Sequence, residues 1–172
     1  MGAHPYMYFA KYHIDIETSL QILREREFLA GRYNPVVSFI EFPLTSDSLS
    51  PGAKHLSIEE ALEASDADGT RSILDISEVA QISYSEALNS SSIYSHNLYG
   101  TSFPLSNDEL VYLFDTIKPT HIVVEKTVVL EEQNEEAADE FWQSIDRGTA
   151  RHIIIYNHDE PVELFFAGYS FD

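Results

Sequence analysis

The sequence predicts an α+β fold: an antiparallel sheet formed from the N-terminal strand and a C-terminal hairpin, with several helices packed on it. Three patterns predict this. Residues 151–172 hold two runs of β-branched and aromatic side chains, 153–156 and 162–166, on either side of the turn-forming cluster Asn157-His158-Asp159-Glu160. Residues 5–12 alternate Tyr6, Tyr8, Ala10 and Tyr12 against Met7, Phe9 and Lys11, the period of a strand. Two Ser-x-x-Glu boxes, Ser57 with Glu60 and Ser106 with Glu109, each precede an apolar helical pattern.

The hairpin is the element around which the rest is arranged. Its loop is expected to span about four residues, with Pro161 at the start of the returning strand, where no N–H is required. Strict alternation places Val162, Leu164 and Phe166 opposite Tyr169 and Phe171, so a bulge at Gly168 is expected to bring all five to one face. Either way this strand is read as buried near the middle of the sheet, and loss of the C-terminal residues as poorly tolerated.

After the first strand, Asp15 is a suitable N-cap. Ile16, Leu20 and Leu23 share one helical face, and Gly31 stands at the C′ position. Arg24-Glu25-Arg26-Glu27 reads as the exposed face of that helix. Residues 36–42 suit a short strand or an irregular packed run, and 43–56 a loop. A short helix is expected from Ile58 to about Ala64, then a turn at 66–70, then a strand or helical turn at 72–76. The serine-rich stretch 83–102 reads as a long surface loop. Leu110, Leu113, Phe114 and Ile117 mark a helix ended by Pro119. Residues 120–130 leave helix and strand open, with helix favoured by a possible cap at Thr120. Ala138, Phe141, Trp142 and Ile145 define a last helical face, closed by Gly148.

A length of 172 residues suits one domain, 1–172, that buries roughly 70% of its unfolded surface. No apolar run approaches the roughly 18 residues of a membrane span, and no basic-then-apolar leader opens the chain. The absence of cysteine removes disulfides and thiolate chemistry and fits a cytoplasmic location. Charge is the strongest feature: 29 acidic residues against 10 basic, a net −19. Such a chain repels phosphate backbones and anionic lipids, so neither nucleic acid held by a basic patch nor a membrane is an expected partner. Residues 131–140 hold six carboxylates and no base. The plain reading is a solvated helix face; the functional one is a docking surface for a basic protein.

Motifs for chemistry are lacking. Asp66-x-Asp68-Gly69 would need a glutamate where Ser77 stands to make a calcium loop, so a helix-ending turn is the simpler reading. The seven histidines show no zinc spacing, and no P-loop, dinucleotide fingerprint or nucleophile elbow occurs. No metal or cofactor is therefore expected. The one constellation with ligand-binding character is Arg32 and Tyr33 beside the Asn34-Pro35 turn, together with Arg71 after Gly69. Arginine forks there could line an anion pocket, or could tie a helix end and a neighbouring aspartate. The expected function is a small acidic interaction protein of inhibitor or immunity type, without catalysis. The alternatives are an enzyme or binding domain for an anionic metabolite using Arg32, Tyr33 and Arg71, and a homo-oligomeric subunit joined through a sheet edge.

Overall fold

The computed structural model describes residues 2–37, 41–90 and 98–172. Five strands form one sheet: β1 (Pro5–Lys11), β2 (Glu78–Val79), β3 (Thr101–Pro104), β4 (Ala150–Asn157) and β5 (Glu160–Tyr169), in the order β1-β5-β4-β3-β2. The expected hairpin is β4–β5, and β1 pairs antiparallel with β5, so β5 lies inside the sheet. The sheet is mixed rather than antiparallel, because β4 runs parallel to β3 and β3 parallel to β2. The cause is connectivity. β3 returns to β4 through a helical crossover of α4 (Asn107–Phe114), α5 (His121–Val124) and α6 (Glu135–Gln143), the route that parallel strands require.

The segment 83–102 contains α3 (Tyr84–Asn89) and the beginning of β3. Ser83 and Glu86 cap α3 reciprocally, a box hidden by the serine-rich composition. The rest of that predicted loop, 91–97, lies outside the described residues. So do residues 38–40 of the 36–42 run, beyond which Leu44 bridges to Tyr6.

The hairpin turn is shorter than expected. Asn157 pairs with Glu160, leaving His158 and Asp159 as the turn, with φ of 49° and 64°. Two left-handed residues in succession give the type I′ geometry whose twist matches the flanking strands. The register shifts between Ile155 and Tyr156, not at Gly168, which pairs in step with both Tyr6 and Ala150. Gly168 is there because the Tyr6 ring lies on it: a Cβ would fall 2.4 Å from the tyrosine oxygen. Tyr6 is fully buried and has nowhere to retreat. Gly168→Ala should therefore cost about 1–3 kcal/mol by overpacking; an unchanged denaturation midpoint would show that the ring yields.

Both faces of the sheet are covered. Tyr6, Tyr8, Leu164 and Phe166 meet Leu20 and Leu23 of α1 (Ile16–Ala30) on one side. Ile153, Ile155 and Phe165 meet Leu113, Val128 and Phe141 on the other. α1 is bounded as predicted: Asp15 Oδ1 accepts the Thr18 N–H at 2.7 Å, and Gly31 takes φ 74°. Its charged face is not exposed throughout, however, since Arg24 and Glu27 are buried. Arg24 donates to the Leu74 carbonyl and to Gln21, and Glu27 is enclosed by arginines. α2 (Ile58–Ser65) follows its Ser57 cap, and 73–75 is a 3₁₀ turn. α4 stops before Pro119, at Asp115 in a left-handed conformation. Residues 121–129 are helical, α5 continuing into a π turn, Glu125–Val129, despite their β-branched run. Val124 and Val128 are buried there, and tertiary packing overrides propensity. Among the described residues no helix is long and apolar enough to cross a membrane.

Candidate functional site

The predicted trio is placed by two loops that touch through their backbones, the Asn34 N–H donating to the Thr70 carbonyl at 2.8 Å. Arg32 and Tyr33 are buried, and Arg71 is half-buried. Arg32 follows the Gly31 cap and turns back onto Glu27, donating from Nε to Oε2 at 2.5 Å and from a terminal nitrogen to Oε1 at 3.1 Å. That bond raises the Arg32 pKa further, and the pair is buried. Tyr33 is fully enclosed, its hydroxyl 2.8 Å from His55 Nδ1 and its ring stacked on Phe28. Arg71 bonds the Asp172 carboxylate and stands 3.6 Å from Asp68. Burial alone would raise the Asp172 carboxyl, but bonds from Ser170 and Arg71 outweigh it and hold the pKa low. Each guanidinium thus faces its own carboxylate, Arg32 through the Glu27 side chain rather than the last helix carbonyls. Asp66–Asp68 is a 3₁₀ turn ended by Gly69 at φ 69°, the geometry of a helix terminus.

The nearest thing to a catalytic pair is Ser102 Oγ and His152 Nδ1, 2.9 Å apart across β3 and β4. Burial, then the charge of Arg151, depresses the His152 pKa to about 3, so the ring is neutral. Both residues are buried, and among the described residues no carboxylate is bonded to the imidazole. The arrangement is a packed polar contact.

The open feature is the acidic segment. Its six carboxylates, Glu131, Glu132, Glu135, Glu136, Asp139 and Glu140, are all exposed. Glu135, Glu136, Asp139 and Glu140 lie on α6, which turns them outward by burying Ala137, Ala138 and Phe141 against the sheet side. Asn134 locks the start of α6 to α4, its side chain donating to the Tyr112 carbonyl at 2.8 Å. Between α4 and α6 runs a groove of about 150 Å³. Its floor is Leu105, Leu113, Ala137 and Phe141, and its rim carries Glu109, Glu140 and Tyr112. Desolvation and the charges of Glu140 and Glu136 push the Tyr112 phenol up, so it stays a neutral donor beside the carboxylates. An apolar floor under an acidic rim suits the aliphatic stem and charged head of lysine or arginine. The edge pairing that a homo-oligomer would use is partly occupied: Leu44 exchanges backbone bonds with Pro5 and Met7 on the outer side of β1.

Comparison with protein-family models, with curated proteins and with solved structures gave no match.

Proposed function

We propose that this protein is a non-catalytic binding protein that captures a basic protein partner along α6 and the α4–α6 groove, in the manner of an inhibitor. One observation carries the reading: an uninterrupted, wholly exposed carboxylate face, with no basic residue between 131 and 140, beside a groove with an apolar floor. Opposed charge steers association and fixes register, while the apolar floor supplies contact area. The anionic-metabolite reading has less support, because Arg32 and Arg71 already face carboxylates.

The test is binding of a lysine- and arginine-rich peptide by fluorescence anisotropy at physiological ionic strength. Neutralising Glu135, Glu136, Asp139 and Glu140 together should weaken binding by roughly tenfold or more, four interface charges at a few tenths of a kcal/mol each. Neutralising Glu17, Glu25, Glu59 and Glu63 on α1 and α2, also exposed, should leave it nearly unchanged. Equal loss in both variants would reduce the effect to net charge and sink the proposal.

A further inference from the structure

On the other flank of α6 lies a second depression, of about 320 Å³, between the π turn and the ends of β1 and β5. From its geometry we infer that this pocket, walled by Trp142, Tyr169 and Met7 with Glu131 at its rim, binds a small organic cation: an alkylammonium group carried on an apolar body.

The walls are aromatic and apolar. The Trp142 and Tyr169 rings meet at 82° with centroids 6.0 Å apart, which makes a corner of two π systems. Val128 and Val129 of the π turn close one side. The indole is locked, donating from Nε1 to the Val128 carbonyl at 3.0 Å. The rigid corner therefore needs no rearrangement to receive a guest.

Charge selects the class of guest. Among the described residues lining the pocket, Glu131 is the one charged group, and no base lines it. Glu131 holds a left-handed φ of 53°, just past the π turn. The Glu132 and Gln133 N–H groups both return to the Lys126 carbonyl and hold this bend. Burial, then the Glu131 charge, raises the Tyr169 phenol, and both residues line the pocket. Ring faces and a carboxylate both attract a cation, and both disfavour an anion. The chain's net −19 adds a long-range field of the same sign. A volume of this size, at the low end for ligand sites, admits a small amine rather than a drug-sized molecule.

The chain's single tryptophan is Trp142, so emission excited selectively at tryptophan, leaving its ten tyrosines dark, reports on this pocket. Titration with n-butylammonium chloride, against 1-butanol and against sodium chloride of equal ionic strength, should give a saturable change in emission with the ammonium. Butanol should bind roughly tenfold more weakly, the cation–π and ion-pair share of the affinity. Glu131→Gln should bring butylammonium down to the level of butanol; Glu131 is exposed, so the variant keeps the fold. The variant neutralised at Glu135, Glu136, Asp139 and Glu140 should retain the response, which separates this site from the peptide-binding face. Equal binding of butanol, an unaltered Glu131→Gln, or a response lost only in the α6 variant would each overturn the assignment, as would the absence of saturation.

Discussion

Phe166→Ala is expected to lower the unfolding free energy by about 3–5 kcal/mol. The ring is fully buried in β5, opposite Tyr8 on β1 and His152 on β4, and it packs into the cluster that holds Leu20 and Leu23 of α1. Removing it leaves a cavity between a sheet and a helix that are both fixed by other contacts, so collapse can recover little. Typical domains hold about 5–15 kcal/mol in total, so the variant should unfold at markedly lower denaturant concentration, while Phe166→Leu loses much less. A loss below about 1 kcal/mol for the alanine variant would place the ring outside the core.

The second large effect is pH dependence, in which two buried groups act in opposite directions. Burial raises the Asp75 carboxyl to about 6, only partly offset by bonds from Thr70. The unfolded value is about 3.9, so Asp75 favours the folded state fully below that pH and loses this contribution as pH rises through 6. His152 is depressed to about 3 against roughly 6.5 unfolded. Its contribution is complete above 6.5 and is lost as pH falls toward 3. Between pH 8 and pH 4 the wild type should therefore gain about 2–3 kcal/mol relative to Asp75→Asn and lose about 3 kcal/mol relative to His152→Gln. The many surface carboxylates titrate in every variant and cancel in these differences. Chemical denaturation across that range checks both, and flat differences would mean that the two groups are solvated.

What was legible in the sequence was local. The hairpin, β1, the Asp15 cap and the Ser106–Glu109 box follow from residues within a few positions of one another, and the structure contains them all. Of the Ser57 box it contains the serine cap, while Glu60 accepts from the Leu56 N–H instead of the Ser57 N–H. β2, with two residues, and β3, ending in Pro104, are too short to show a period; β3 is a strand because β4 offers an edge to build on, and β2 because β3 then does. Arg24 and Glu27 read as surface because they are charged, yet they are buried: Leu74 and Arg32 supply partners that the helical pattern cannot reveal. Gly168 drew notice for the right reason, an awkward strand, but the cause lies across the sheet at Tyr6. The acidic face could be read directly from 131–140. The aromatic corner beside it could not: Trp142 read as part of a helical face, and only the tertiary fold brings Tyr169 and Glu131 to it. A lone tryptophan next to that acidic run was the available signal.

The position of β5 has a consequence for biosynthesis. This strand is bonded on both sides, to β1 and to β4, yet it follows all four other strands in the chain. A nascent polypeptide that has emerged as far as β4 has two bare strand edges that face each other across an empty slot. Tyr8 and Phe9 lie along one, and Ile153, Ile154 and Ile155 along the other. Joining β1 to β5 closes a loop over nearly the whole described length, from Pro5 to Tyr169, and such closure is slow. The sheet cannot be completed until β5 has been made, and the interval before it arrives is when the chain is most exposed to edge-to-edge aggregation and to chaperone capture.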